Sequence, residues 1–175
     1  MSVGLSTRGR MADPTAGGEL VDFSKTPAAE VFKLRIQLLD EGSRSDMLTD
    51  TGNMKIKIRC YAAGGGENAM HAHHNQDHSF IVLQGQARFY GPQGEVRDLS
   101  RNDGIMLPSG CYYCFENSGS EPLVVLRIES ITEEGVKAGG DPNVRLGMHG
   151  QQIEPHAVEN NREKTLRPRP GAFYE

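Results

Sequence analysis

Short segments in which apolar and polar residues alternate run through the middle of this chain, separated by turns rich in glycine and proline. Residues 34–38 and 54–58 both follow this pattern, and comparable segments recur to about Ile128. A period of two is typical of half-buried antiparallel strands, and no long helical period interrupts it. The sequence therefore predicts an all-β fold of antiparallel strands, a sandwich or a jelly-roll barrel.

The two ends of the 175-residue chain lack this period. Residues 1–30 are rich in Gly, Ser, Thr and Pro and predict a loosely docked N-terminal arm, followed by a barrel over residues 31–132. Residues 133–175 predict an extended, irregular C-terminal tail, whose prolines exclude a central strand. Its few apolar residues would let the tail cover the barrel mouth or a partner subunit, and a solvated tail fits the composition equally well.

Charge and composition exclude several classes of partner. The net charge is −4, and the Lys and Arg residues are spread along the chain, so the footprint of a nucleic-acid-binding protein is absent from the sequence. No apolar run approaches the roughly 20 residues of a membrane span or resembles a secretion signal, and we expect a cytoplasmic protein with a small-molecule substrate. Three cysteines without an export signal predict free thiols, and Cys111 and Cys114 should point to opposite faces of a strand.

Four of the six histidines lie within the run from His71 to His78. On a strand, His71 and His73 project to the same face, and a turn with a return strand brings His78 opposite them, while His74 points away. Three neutral imidazoles in this arrangement can bind one face of a transition metal and leave its other positions open for water or substrate. The sequence therefore predicts a metal site on His71, His73 and His78.

Two runs of residues resemble the motifs of the cupin superfamily. The first reads Gly65-x5-His71-x-His73-x4-His78-x6-Gly85, and the second reads Asn102-x5-Pro108-x-Gly110-x2-Tyr113-x3-Asn117. The resemblance covers the chain from about Leu34 to Ile128. It implies a cupin-type antiparallel β-barrel, also called a double-stranded β-helix, with one divalent metal and commonly a homodimer.

Two positions depart from the family pattern. His78 stands where the resemblance implies a glutamate, and Tyr113 stands where it implies the last metal-binding histidine. Losing a carboxylate leaves a bound metal more electrophilic, which favours an anionic substrate or dioxygen in its open positions. Iron is the expected metal, with Mn, Ni, Zn and Cu as alternatives. Tyr113 is the candidate catalytic residue, and its ordinary pKa of about 10 favours a hydrogen bond to the substrate over ligation or mere space filling.

Strand alternation also predicts the lining of a substrate pocket. Residues two apart along a strand share a face, which places Cys111, Phe115, Phe80 and Val82 inside the barrel around a small polar centre. Five further polar residues could contact a substrate, although such residues are more often solvated on strands. They are Arg59, Arg88, Arg127, Gln84 and Gln86.

With the resemblance, these residues predict a metal-dependent cupin, an iron oxygenase or dioxygenase acting on a small organic substrate. One alternative is a metal-dependent lyase or isomerase in which Tyr113 acts as acid or base. Another is a non-enzymatic small-molecule-binding cupin, which the changes at His78 and Tyr113 would suit. A homodimer is expected because Ile81 and Leu83 lie opposite the ligand face and need burial.

Overall fold

The computed structural model describes residues 23–138, 143–153 and 166–175, in a chain that divides into two compact units, Met1–Glu30 and Val31–Glu175. In the described part of the first unit, Phe23–Lys25 form a 3-10 turn. Most of the predicted N-terminal arm lies outside the described residues, and so do parts of the predicted tail. None of the helices in the described ranges combines the length and the apolarity that a membrane span requires.

In the described part of the second unit, the chain forms antiparallel strands and one short helix, α1, at Glu133–Ala138. The predicted segment 34–38 corresponds to the first strand, which begins two residues later, and the segment 54–58 opens the third. The strands are β1 Ile36–Glu41, β2 Ser43–Asp50, β3 Met54–Tyr61, β4 Gly66–His73, β5 Gln76–Gln84, β6 Gln86–Tyr90, β7 Val96–Ser100, β8 Gly104–Leu107, β9 Tyr113–Asn117, β10 Leu123–Ile131, β11 Arg145–Gly147, β12 Gln152–Ile153 and β13 Arg167–Tyr174.

Two large sheets and one small sheet contain these strands. The order is β2-β3-β10-β5-β8 in the five-stranded sheet and β12-β11-β4-β9-β6-β7 in the six-stranded sheet, while β1 pairs with β13. Neighbouring strands are antiparallel and often distant in the sequence, as in a jelly roll. The predicted all-β fold with antiparallel jelly-roll topology is therefore confirmed.

An aromatic cluster fills the space between the two large sheets. Tyr61 and Phe80 come from the five-stranded sheet, and Phe89, Tyr113 and Phe115 come from the six-stranded sheet. Phe89 and Phe115 stack with ring centroids 4.7 Å apart, and Tyr61 meets Phe115 edge to face at 5.2 Å. This packing fixes the position of Tyr113 at the start of β9.

A second apolar cluster lies on the other face of the five-stranded sheet, where Ile58 and Cys60 of β3 pack with Ile36 of β1. The alternation of β3 is therefore as predicted, but its apolar side chains face away from the barrel interior. The side chains between them, such as that of Arg59, face the interior. Arg59 of β3 and Arg127 of β10 are only 7% and 2% exposed. Their interpretation as solvated strand residues is wrong, because strands covered on both faces bury both sets of side chains.

The C-terminal segment contributes strands to two sheets. β13 pairs with β1 in the two-stranded sheet, where its two prolines interrupt no central strand. β11 pairs with β4, and Arg145 lies opposite His73 while Gly147 lies opposite His71. Part of the segment that was expected to form a tail therefore lies beside the strand that carries two of the predicted metal ligands.

Two predictions about individual side chains have different outcomes. Cys60, Cys111 and Cys114 are all free thiols, as expected. Ile81 and Leu83 are half-buried within the single chain, and Leu83 packs against the second apolar cluster. The single chain therefore supplies part of the burial that a dimer was expected to provide. The homodimer stays a prediction.

Candidate functional site

The three predicted imidazoles lie together inside the barrel. β4 carries His71 and His73, β5 carries His78, and these residues are 0%, 3% and 1% exposed. The ring centroids of His73 and His78 are 4.2 Å apart, and those of His71 and His73 are 5.3 Å apart. His74 is exposed and does not join them. The surroundings of the three rings therefore decide what they can bind.

Glu67, on the same face of β4 as His71, is the centre of a buried hydrogen-bond network. Its carboxylate accepts bonds from the Arg59 guanidinium, from Arg127 Nη1 at 3.0 Å and from the Tyr113 hydroxyl at 3.2 Å. Burial alone would raise the pKa of Glu67, but Arg127 and Arg59 outweigh burial and hold that pKa well below its ordinary value. Glu67 is therefore an ionised carboxylate whose charge is balanced by two arginines.

Arg127 connects this network to a second carboxylate and to His78. Its Nε lies 3.0 Å from Glu129 Oε1, and Lys57 Nζ contacts the same carboxylate at 2.8 Å. Its Nη2 lies 3.2 Å from His78 Nδ1. Because a guanidinium has only donors, His78 Nδ1 is the acceptor, and the opposite N–H donates to Gln76 Oε1 at 3.0 Å. Both nitrogens of His78 are therefore already used.

His71 and His73 differ from His78 because they have ring nitrogens without a hydrogen-bond partner. His71 Nδ1 donates to the Ala69 carbonyl at 2.8 Å, which leaves Nε2 3.4 Å from Glu67 Oε2 without a hydrogen bond. Neither nitrogen of His73 has a hydrogen-bond partner among the described residues. Since buried polar atoms are nearly always paired, the two rings present unused nitrogens of the kind expected at a ligand site.

The rings of His73 and His78 are held neutral. Burial lowers the pKa of His73 to about 2, and the positive charges of Arg127 and Arg145 add to the effect. Burial and Arg127 also lower the pKa of His78 far below its ordinary value. A neutral imidazole has one N–H and one lone pair, so His73 can offer a ligand one donor and one acceptor.

As arranged, the predicted ligands do not fit a divalent metal ion. In the described ranges, no three His, Cys, Asp or Glu side chains are placed to hold one. His78 uses its lone pair on Arg127, whose charge would repel a metal; two unit charges 4 Å apart interact by about 4 kcal/mol near a protein surface. Burial and Glu67 raise the pKa of Tyr113, which disfavours a phenolate ligand. Two imidazoles remain, whereas catalytic zinc sites use three protein ligands.

A cavity of about 320 Å³ shares one residue with this polar cluster, and none of the three histidines lines it. Tyr113 belongs to both, because the residue lines the cavity and its hydroxyl reaches Glu67. Much of the remaining lining is apolar and includes Phe89, Ile105 and Leu107. The volume lies at the lower end of the range of about 300–1,000 Å³ that is typical of small-molecule pockets.

The predicted pocket residues separate into two groups. Cys111 lines the cavity together with Tyr113. Phe80, Val82 and Phe115 are at most 1% exposed in the aromatic core, and they do not line the cavity. Three of the four predicted pocket residues therefore belong to the aromatic core, and only Cys111 lines the cavity.

The prediction from sequence missed the residues that surround the three histidines, among them Glu67, Gln76 and Arg145. Strand alternation could have found the first two, because Glu67 lies four residues before His71 and Gln76 lies two before His78. Arg145 carries no such signal, since only the pairing of β11 with β4 brings it beside His73.

Comparison with known proteins gives the chain a family context. A family model described as "Cupin domain" matches residues 58–129. Among solved structures, the cupin domain of Cnp3 from Schizosaccharomyces pombe is similar with a TM-score of 0.51 at 18% identity, over 60% of this chain and 78% of that one. At this identity the likeness concerns the fold alone.

Curated relatives are similar to part of this chain as well. The chain is 28% identical over 126 residues to a mannose-1-phosphate guanylyltransferase of Escherichia coli, which is 72% of this chain and 26% of that protein. It is 36% identical over 76 residues to the mannose-1-phosphate guanylyltransferase ManC of Salmonella typhimurium strain LT2, which is 43% of this chain and 15% of that protein. The matched region thus spans about a quarter or less of these relatives.

Proposed function

Because this chain belongs to the cupin superfamily, we propose that it binds a small organic molecule inside its barrel without a resident metal, through the unpaired nitrogens of His71 and His73. On this proposal the chain is a ligand-binding cupin. Its ligand has a polar end that meets the two imidazoles, and its body occupies the cavity that Tyr113, but neither imidazole, lines.

The unpaired nitrogens of His73 are the observation that carries this proposal. A buried polar group without a partner costs about 1–3 kcal/mol of stability, and buried polar groups are nearly always paired, so the unpaired ring favours a site that a ligand completes. His73 is 3% exposed, and its ring nitrogens have no hydrogen bond in the described ranges. A ligand that supplies a donor and an acceptor recovers this energy on binding.

The names of the curated relatives suggest a first ligand to test. They are guanylyltransferases of mannose 1-phosphate, and this chain matches about a quarter of the first of them. Guanylyl transfer is therefore not part of the proposal. Mannose 1-phosphate serves as a probe that joins a polyol to an anionic group.

Tyr113 acts in this proposal as a neutral hydrogen-bond donor. Burial, with a contribution from Glu67, raises the pKa of Tyr113, so its hydroxyl keeps its proton and donates to Glu67 Oε2. A lyase or isomerase that needs Tyr113 as a base would require the opposite shift. The hydroxyl instead helps to orient the Glu67 carboxylate beside His71.

A metal-dependent oxygenase is the second candidate function, and one contact favours it. His71 Nδ1 donates to the backbone carbonyl of Ala69, and metal-binding histidines are commonly oriented by such a bond from their other nitrogen. This candidate requires His78 to leave Arg127 and Gln76, because its nitrogens are otherwise occupied.

Matched variants at two histidines test the proposal. His73→Leu removes a ring without hydrogen bonds and should leave the unfolding free energy unchanged or higher. His78→Leu removes bonds to Arg127 and Gln76 and should lower it. Protein purified without chelators should contain less than one metal ion per chain, and EDTA should not shift its melting temperature.

The opposite results would identify the second candidate. One Fe, Mn, Ni, Zn or Cu per chain, lost in both variants and removed by EDTA with a drop in melting temperature, would overturn the metal-free proposal. Oxygen consumption with a screen of catechols and diketones would then be the next measurement.

A further inference from the structure

The described interior of the barrel carries more buried positive charge than negative charge. Three arginines, Arg59, Arg127 and Arg145, are buried there, against two carboxylates, Glu67 and Glu129. Burying an uncompensated charge costs several kcal/mol, so folded proteins normally pair each one. The imbalance therefore singles out whichever arginine lacks a carboxylate.

Both carboxylates are already committed. Glu67 pairs with Arg59 and with Arg127, and Glu129 pairs with Arg127 and Lys57. Arg145, in contrast, has no ion pair with any carboxylate in the part of the chain that the structure describes. Its Nη1 makes one long contact of 3.4 Å, to the backbone carbonyl of Asn143, and its Nε has no partner. Arg145 is thus the buried arginine without a carboxylate partner among the described residues.

The register of β11 against β4 sets Arg145 beside His73. The two residues are directly opposite each other in an antiparallel pair, and such residues project to the same face with Cβ atoms about 5 Å apart. His73 faces the interior, where its ring centroid is 4.2 Å from that of His78. The positive charge of Arg145 is among the causes that lower the pKa of both histidines, so its electrostatic effect extends to both rings.

We propose that Arg145 and His73 form a subsite for an oxyanion, the carboxylate or phosphate group of the ligand. The inference rests on the proposed function and names its ligand class, a small organic anion. Arg145 presents N–H groups in a fork that matches two oxygens of a carboxylate or phosphate, and the neutral ring of His73 adds one N–H. The bound anion supplies the negative charge that the described interior lacks.

A residue of the C-terminal segment thereby becomes a determinant of specificity. Arg145 is 8% exposed and is held in place by three residue pairs between β11 and β4. A neutral analogue of the ligand would leave its charge buried and unpaired, so the subsite discriminates against neutral molecules. An exposed arginine would give no such discrimination, because water would solvate it.

Titrations with inorganic phosphate, acetate and mannose at constant ionic strength test the subsite. Isothermal calorimetry on the full chain should detect phosphate or acetate and should not detect mannose. The stronger of the two anions identifies the oxyanion class. Arg145→Gln should weaken that anion at least tenfold, which corresponds to about 1.4 kcal/mol. Arg101→Gln, at an exposed turn, is the matched control and should bind like the wild type.

A second variant at the same position keeps the test informative if Arg145→Gln does not fold. Arg145→Lys keeps the charge and loses the fork, and it should bind more weakly than the wild type and more tightly than Arg145→Gln. Circular dichroism reports whether each variant is folded. Anion binding that is equal in all folded variants, or absent from the wild type, overturns the subsite. The proposed function fails separately, if His73→Leu is destabilising or a stoichiometric metal is found.

Discussion

Arg127 and His78 form a buried donor–acceptor pair, in which Arg127 Nη2 lies 3.2 Å from His78 Nδ1. His78 stands at the motif position where cupins carry a glutamate, and a carboxylate there would meet the guanidinium as an ion pair. The neutral ring accepts a hydrogen bond instead and leaves the charge of Arg127 to Glu67 and Glu129. The histidine and the buried arginine are therefore parts of one arrangement, which places a guanidinium among the predicted metal ligands.

Replacing Arg127 should destabilise the fold strongly. Arg127→Met removes contacts of 3.0 Å to both Glu67 and Glu129 and leaves each carboxylate buried with fewer partners. Breaking a buried ion pair from one side costs about 3–5 kcal/mol of the unfolding free energy. Urea denaturation measures this loss. Arg88→Met is the control, because its ion pair with Asp98 is exposed, and comparable losses in the two variants would contradict the role assigned to Arg127.

His73 and His78 should make the fold less stable as the solution is acidified. Burial lowers the pKa of both rings below the ordinary 6.5, to about 2 for His73. Below 6.5 the unfolded chain therefore binds protons that the folded chain does not, and stability is lost progressively until the pH approaches the folded pKa values. Between about pH 7.5 and pH 5.5 each histidine should contribute a loss of about 1.4 kcal/mol.

Urea denaturation at a series of pH values measures this dependence. His73→Leu should reduce the slope of unfolding free energy against pH, because one of the two neutral rings is gone. His149→Gln, which removes an exposed ring, is the matched control for losing one imidazole. A slope that is unchanged in His73→Leu would show that His73 titrates in the folded protein as it does in the unfolded chain.

Gly66 should tolerate no side chain, although it lies within a strand. A Cβ at this position would collide with the backbone oxygen of Phe115 and would lie 2.7 Å from Glu116 Cα on the paired strand β9. Backbone atoms of a paired strand cannot move aside cheaply, so Gly66→Ala should lower the unfolding free energy by about 1–3 kcal/mol. Gly119→Ala is the control, because the nearest atom to a Cβ at that position, Asn117 Oδ1, would be 3.5 Å away. Similar melting temperatures for both variants would contradict this expectation.

Local periodicity was enough to predict the strands and the fold class. The alternation of residues 54–58 predicted β3, and the run from His71 to His78 predicted three neighbouring imidazoles. Periodicity cannot tell which face of a strand meets the barrel interior when both faces are buried. For β3 the apolar face meets β1, and the interior receives Arg59.

The pairing of strands that are distant in the sequence determines which side chains surround the histidines, and periodicity cannot predict this pairing. Arg127 contacts His78 because β10 pairs with β5, and Arg145 lies opposite His73 because β11 pairs with β4. Neither pairing leaves a signal in the local sequence. The three-histidine site was therefore predicted without the buried arginines that surround it, and the metal expected there stays a prediction.

Tyr113→Phe should separate the polar role of Tyr113 from its packing role. The hydroxyl donates to the ionised Glu67 at 3.2 Å, while the ring packs in the aromatic core. The whole residue is 2% exposed. A hydrogen bond to a charged group contributes about 1.5–3 kcal/mol. Tyr113→Phe should lower the unfolding free energy by about 1.5 kcal/mol, because Glu67 keeps its contacts with Arg59 and Arg127.

The neighbouring tyrosine provides the control for this change. Tyr112 donates its hydroxyl to the neutral carbonyl of Gly147 at 3.2 Å, so Tyr112→Phe should cost about 0.5–1.5 kcal/mol. Urea denaturation compares the two variants, and elemental analysis checks that neither changes the metal content. Since the pKa of Tyr113 is raised by burial, its hydroxyl is a donor and not a ligand in this arrangement. A stoichiometric metal in the wild type that is lost in Tyr113→Phe and kept in Tyr112→Phe would contradict the role of Tyr113 as a neutral donor.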